Sequence, residues 1–84
     1  MSLPSEPVTL SAEQVSELKQ KLSDLRHDVN NHVSLMLSAV EMIRRKPEST
    51  QNMLESIARQ PMKINDAIAL FTKALESALK LKRH

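Results

Sequence analysis

The sequence predicts an all-α fold, an antiparallel two-helix hairpin that dimerises into a four-helix bundle. Three observations lead to this prediction. Apolar residues recur at alternating steps of three and four in two long stretches of the 84-residue chain, and one short break near Pro47 separates the two stretches. The apolar stripe of each stretch is also wider than the seam that one partner helix covers, so a second copy of the hairpin is needed to bury it.

The chain begins with a segment that we expect to stay outside the fold. Residues 1–10 include Pro4, Pro7, two serines and a threonine, a composition typical of a disordered leader or a linker. Ser11 and Gln14 then form the pattern of a capping box, which predicts that the first helix begins near Ala12. Nothing interrupts the helical pattern until the break at Pro47, so the first helix should span about residues 12–45.

The helical hairpin itself should therefore occupy residues 11–84, with a second helix over about residues 51–82. Each helix has a predicted seam with coiled-coil spacing. The seam of the first helix consists of Val15, Leu18, Leu22, Leu25, Val29, His32, Met36, Ala39 and Ile43. The seam of the second consists of Leu54, Ile57, Pro61, Ile64, Ile68, Phe71, Leu75 and Ala78. Pro61 should bend the second helix, because its ring and missing N–H disturb the preceding turn.

The composition excludes several kinds of site. The chain has no glycine, so it lacks the Gly-rich loops that hold nucleotide phosphates, and any ATP must be bound elsewhere. It has no cysteine, which excludes a disulfide framework and fits a cytoplasmic location. Twelve Lys and Arg against ten Asp and Glu do not indicate nucleic-acid binding. No apolar run approaches the roughly 20 residues of a membrane span.

Chemically active side chains crowd into two turns of the first helix. The segment from Leu25 to His32 holds two imidazoles, one carboxylate and two amides. With Leu25 and Val29 in the seam, His27 takes the heptad position furthest from it, so its ring should be exposed. An exposed imidazole is mostly unprotonated near neutral pH and can act as a nucleophile. His27 is therefore the candidate catalytic residue.

The neighbours of His27 suggest supporting roles. Asp28 could accept a hydrogen bond from one ring nitrogen and stabilise positive charge as a phosphoryl group arrives. Asn31 lies one turn further along the same face, where its amide could orient a water molecule. His32 falls in the seam, where we expect a polar residue that sets the register of the helices. Because His27 and His32 diverge around the helix, we expect no metal site.

The segment His27–Asn31 matches the signature H-[E/D]-x-x-[N/T], and the residues around it extend the match to an LRHDxNNH pattern. In these residues the chain resembles the dimerisation and phospho-acceptor domains of sensor histidine kinases in two-component systems. The resemblance covers about residues 11–84, although its specific part is this short motif. Many members of the family have proline five residues after the histidine, where this chain has His32, so the bend associated with that proline is not carried over.

The resemblance implies a protein histidine kinase of which this chain is only the phospho-accepting part. His27 would receive the γ-phosphoryl group from ATP and pass it to an aspartate of a response-regulator receiver domain. Asp28 would be its acid–base partner in autophosphorylation, and Asn31 would support dephosphorylation of the regulator. ATP and Mg²⁺ would be bound by a separate kinase domain, and the chain itself would bind no cofactor. The implied partners are a second copy of the chain, that kinase domain and the receiver domain.

By position alone, the resemblance also suggests contacts with the regulator at Leu37, Ser38, Glu41, Gln51, Glu55 and Arg59. Two other functions fit the same residues. The chain could be a free-standing histidine phosphotransferase of a phosphorelay, which passes phosphoryl groups between receiver domains without ATP. It could also be a purely structural coiled-coil dimerisation module, for which the heptads suffice and the histidine is incidental.

Overall fold

A computed structural model describes residues 4–79 and contains two helices that run antiparallel and pack against each other. Helix α1 spans Ala12–Arg45 and helix α2 spans Thr50–Leu79, with a short 3-10 turn at Pro47–Ser49 between them. Within residues 4–79 there is no strand, so the all-α class is confirmed. The predicted end of the second helix, near residue 82, lies outside the described residues.

The start of α1 is set by the predicted capping box. The Ser11 hydroxyl accepts a hydrogen bond from the backbone N–H of Gln14 (3.0 Å), and the Gln14 Oε1 accepts one from the backbone N–H of Ser11 (2.9 Å). Two backbone donors that the first turn leaves without helical partners are thereby satisfied. This pair fixes the first residue of the helix.

The connection between the helices is short because Pro47 cannot continue α1. At the end of α1 the backbone N–H of Lys46 donates a hydrogen bond to the carbonyl of Met42 (2.7 Å). Ser49 and Thr50 then turn the chain, and their hydroxyls donate to the carbonyls of Lys46 and Pro47 (2.7 and 2.6 Å). A connection this short forces α2 to run back along α1.

The predicted seam of α1 is largely correct. Leu18, Leu25, Val29, His32, Met36, Ala39 and Ile43 are half-buried or buried, whereas Val15 and Leu22 are exposed. The first helix thus packs against α2 through most of the residues that its heptads indicate.

The predicted seam of α2 is wrong at three positions. Leu54, Pro61 and Ile68 are exposed, and the residue before each of them is buried or half-buried in its place. The predicted seam residues Ile57, Ile64, Phe71, Leu75 and Ala78 are half-buried. The full set of half-buried or buried residues in α2 is Thr50, Met53, Ser56, Ile57, Gln60, Ile64, Ala67, Phe71, Thr72, Ala74, Leu75, Glu76, Ala78 and Leu79. The reason is that the broad apolar stripe of α2 can be covered from either edge, and the edge that includes Gln60 gives His32 a hydrogen-bond partner that Pro61 cannot provide.

The hairpin is a layer one helix thick. Its extents are 57 × 27 × 12 Å, and 12 Å is about the diameter of a single helix with side chains. Among residues 4–79, the only apolar side chains that are buried are those of Ala39 and Ala67, at 4% and 8% exposure. No large apolar side chain of the described residues is fully buried, so one hairpin contains little core. Neither helix, as far as residue 79, is long and apolar enough to cross a membrane.

Candidate functional site

His27 lies on the outer side of α1, in the middle of the helix. Its side chain is exposed, and it is two residues away from each of the half-buried seam residues Leu25 and Val29. Two residues correspond to about 200° around a helix, so the imidazole is on the side opposite α2. Between residues 4 and 79 the ring has no hydrogen-bond partner. A mobile partner domain can therefore approach both ring nitrogens from solvent.

Asp28 is exposed but lies on a different side of the helix. Consecutive residues are about 100° apart, and the Asp28 carboxylate lines a shallow groove between the helices, together with Lys21 and Leu70. Within the described chain it makes no hydrogen bond to His27, although the sequence allows one. Water competes for both exposed groups, so such a bond requires an approaching partner to exclude solvent.

Asn31 is also exposed and lies four residues after His27, one turn along the same side of α1. Its amide has no hydrogen-bond partner within residues 4–79 and is free to bind water or a phosphoryl oxygen. His27 and Asn31 thus share one solvent-facing surface, which Asp28 borders from the groove side.

His32 is part of the seam, as the sequence predicts. Its ring is half-buried, and its Nδ1 lies 2.8 Å from the Oε1 of Gln60 on α2. Gln60 is only 4% exposed, and its Nε2 donates to the carbonyl of Ser56 (3.0 Å). Both ends of the buried amide are therefore satisfied, as buried polar groups require.

Gln60 is a residue that the sequence reasoning missed. The signal was present, because Met53, Gln60 and Ala67 repeat every seven residues beside Ile57 and Ile64, which gives a second apolar register for α2. Choosing the register with the larger side chains placed Pro61 in the seam and left His32 without a partner. A requirement that the seam histidine be hydrogen-bonded favours the correct register.

All six positions suggested for regulator contacts are exposed, namely Leu37, Ser38, Glu41, Gln51, Glu55 and Arg59. They do not form one surface on a single hairpin. At about 100° per residue, the three on α1 and the three on α2 lie on the outer sides of their helices, away from the seam. A surface that combines them needs the helices of two copies.

The two sides of the seam differ in character. On one side, Val29 and Ile68 line a shallow groove with Arg26 and Asn30. Apolar residues continue along this side of both helices at steps of four and seven, with exposed fractions between 39% and 52%. We call this side the apolar face, and its exposed members are Val15, Leu22, Val33, Val40, Leu54 and Ile68.

The opposite side, which we call the groove face, carries more charge. Its groove is lined by Lys21, Asp24 and Asp28 of α1, and also by the apolar residues Leu25, Ala67, Leu70, Phe71 and Ala74. Leu70 follows Ile68 by two residues, which corresponds to about 200° around α2. The two side chains therefore lie on opposite sides of the hairpin. Asp28 is thus on the face that remains open if the apolar face is covered.

Within residues 4–79, no three His, Asp or Glu side chains form a group that could hold a metal ion. Comparisons of the chain with protein-family models, with curated proteins and with solved structures gave no match.

Proposed function

We propose that the chain is the phospho-accepting dimerisation domain of a two-component sensor histidine kinase, with His27 as the acceptor. The observation that carries the proposal is the place of the motif. His27 stands exposed on the outer side of the first of two long antiparallel helices, and the motif residue Asn31 shares its surface. A rigid helix that presents a free imidazole to solvent suits an acceptor that two different partner domains must reach in turn.

The chemistry requires two displacements at phosphorus. In the first, a ring nitrogen of His27 attacks the γ-phosphorus of ATP, the bond to the bridging oxygen breaks, and ADP leaves. The attacking nitrogen is the unprotonated one of the neutral ring, so the phosphorylated ring becomes positively charged and keeps its proton on the other nitrogen. The Asp28 carboxylate is proposed to stabilise this charge by accepting a hydrogen bond from that N–H. In the second, a carboxylate oxygen of a receiver aspartate attacks the phosphorus and the P–N bond breaks, which returns neutral His27.

Nucleotide and Mg²⁺ belong to a separate kinase domain in this proposal. The chain has no glycine, so it cannot form a Gly-rich phosphate loop. Asn31, with its free amide on the His27 surface, is proposed to place a water molecule for hydrolysis of the phosphorylated regulator.

The proposed quaternary structure is a homodimeric four-helix bundle joined through the apolar face. This face is supported by the lack of core in one hairpin, where Ala39 and Ala67 are the buried apolar residues of the described chain. A second copy laid on the apolar face would bury a row of Val, Leu and Ile side chains at about 25 cal/mol per Å². The outer surface with His27 and the groove face with Asp28 would remain open.

The decisive experiment follows phosphoryl transfer to and from the chain. The wild-type chain is incubated with histidine-kinase ATP domains and Mg-ATP, and separately with receiver domains charged by acetyl phosphate. We expect acid-labile phosphate on His27, located by mass spectrometry, and none on His27→Gln. Ser34→Ala is the matched control, because Ser34 is exposed two turns further along the same helix.

If His27→Gln is labelled as well as the wild type, the assignment of the acceptor is wrong. If the receiver domains label the chain and no ATP domain does, the free-standing phosphotransferase is the better description. If neither class of donor labels His27, the structural dimerisation module remains, since the apolar face alone accounts for it.

A further inference from the structure

The seam contains a polar connection beside the one proline of α2. His32 on α1 and Gln60 on α2 are hydrogen-bonded through Nδ1 and Oε1 at 2.8 Å, and Gln60 immediately precedes Pro61. The Gln60 side chain also bonds back to the carbonyl of Ser56 at 3.0 Å. The three groups form a chain of hydrogen bonds that runs from α1 across the seam and onto the backbone of α2.

The direction of each bond in this chain is determined. A carbonyl can only accept, so the Ser56 carbonyl must face the Nε2 of Gln60, and the Oε1 must face His32. Because that oxygen can only accept, the Nδ1 of His32 carries the proton. The neutral ring is therefore held as the Nδ1–H tautomer, with its lone pair on Nε2.

The backbone beside this connection is the weak point of α2. Pro61 has no N–H, so the carbonyl of Ile57 lacks its helical donor, and the ring crowds the preceding turn. Helices bend at such positions. The helix nevertheless continues unbroken from Thr50 to Leu79. The buried amide of Gln60 donates to the carbonyl of Ser56, which is next to the Ile57 carbonyl that lacks its donor.

We propose that His32 and Gln60 form a latch that holds the Pro61 hinge of α2 against α1. With the latch closed, the turn of α2 that immediately precedes Pro61 is tied to α1 and braced on the carbonyl of Ser56. With the latch open, the turn around Pro61 loses both the side-chain brace on Ser56 and the tie to α1, and the residues after Pro61 can pivot. The proposal does not depend on phosphoryl transfer, because His32, Gln60 and Pro61 are not among the residues proposed to take part in it.

The test combines latch and hinge variants of the full chain and measures amide hydrogen exchange by NMR. Gln60→Leu removes both bonds of the latch. His32→Leu removes only the bond between α1 and α2 and leaves the bond between Gln60 and Ser56 in place. His32→Leu should make amides of residues 57–65 exchange about fivefold faster, the factor that corresponds to loss of one hydrogen bond. Gln60→Leu loses two bonds and should accelerate the exchange of the same amides further. Gln51→Leu is the matched control, since the Gln51 amide is exposed and bonds to Glu55 within α2.

The same substitutions are then made with Pro61→Ala, which restores the backbone bond to Ile57 and removes the hinge. Opening the latch should now change exchange by less than about twofold, because coupled sites are not additive. Equal acceleration with proline and with alanine at position 61 would mean that the pair only supports general packing, and the inference would be wrong. No acceleration by either latch variant with Pro61 in place would also overturn it.

The histidine ring supplies an independent measurement. In the wild-type chain, nitrogen-15 NMR should find the His32 proton on Nδ1 in the neutral ring, with slowed exchange, and Gln60→Leu should abolish this protection. A neutral His32 that carries its proton on Nε2 would contradict the latch, whatever the stability of the variants.

Discussion

At the scale of single residues, exposure separates the two histidines of the motif. His27 has no partner within the described chain and faces water, whereas His32 is half-buried and bonded to Gln60. Their side chains are five residues apart, which puts them on different sides of α1. One position therefore suits a nucleophile that partners must reach, and the other suits a contact that holds the helices together.

The role proposed for Asp28 predicts a kinetic effect. Asp28→Asn should lower the rate of His27 phosphorylation by a kinase ATP domain roughly a hundredfold, within the range typical of general acid–base groups. The helical content of the Asp28→Asn variant should equal that of the wild type, because the Asp28 side chain is exposed and makes no hydrogen bond within residues 4–79. Radiolabel incorporation over time measures the rate, and circular dichroism measures the helix.

Asn31→Ala is the control for this prediction. It changes an exposed residue one turn from His27, and its proposed role is in dephosphorylation, so phosphorylation should proceed at the wild-type rate. If Asp28→Asn is labelled as fast as Asn31→Ala, Asp28 is not the acid–base partner.

At the scale of secondary-structure elements, the ends of the helices are determined by local hydrogen bonds. The capping box at Ser11 begins α1, and Pro47 with the hydroxyls of Ser49 and Thr50 ends it and turns the chain. These interactions involve residues at most four positions apart, so they can be recognised from the sequence. The helix seam depends on a distant partner and cannot be fixed in this way.

The capping box predicts a measurable loss of stability. Ser11→Ala removes the acceptor for the N–H of Gln14 and should lower the free energy of unfolding by about 1 kcal/mol. Ser16→Ala is the matched control, because Ser16 is exposed inside α1 and alanine is the better helix former there. Thermal unfolding at one fixed protein concentration measures both. Equal midpoints for the two variants would show that the cap contributes nothing.

At the scale of the whole molecule, the amount of apolar surface that one hairpin leaves exposed indicates whether the hairpin binds a partner. One hairpin is a single layer of helices, and its apolar face carries six large side chains that are between 39% and 52% exposed. Contiguous exposed apolar surface of this kind marks an interaction site. A second copy is the occupant that the heptad spacing favours, because both helices present their stripe on the same side.

The dimer prediction has a closely matched pair of variants. Ile68→Lys puts a charge into the apolar face and should leave the chain monomeric at micromolar concentration, with reduced helical content. Leu70→Lys changes a residue that is more exposed, 70% against 45% for Ile68, but lies on the groove face, so it should remain a helical dimer. Sedimentation equilibrium and circular dichroism measure both properties. A wild-type chain that is a folded monomer, or a dimer broken by Leu70→Lys alone, would contradict the proposed bundle.

The sequence by itself determined the all-α class, the start and end of α1, the short connection and the exposure of His27. Each of these depends on local signals, namely heptad spacing, a capping box and a proline. Tertiary structure alone decided which edge of the α2 stripe faces α1, and hence that Gln60 rather than Pro61 lies in the seam. It also decided that Asp28 lines a groove apart from His27. The physical reason is that a broad apolar stripe can pack along either edge, and the observed edge pairs two polar residues that are 28 positions apart in the chain, which local spacing does not indicate.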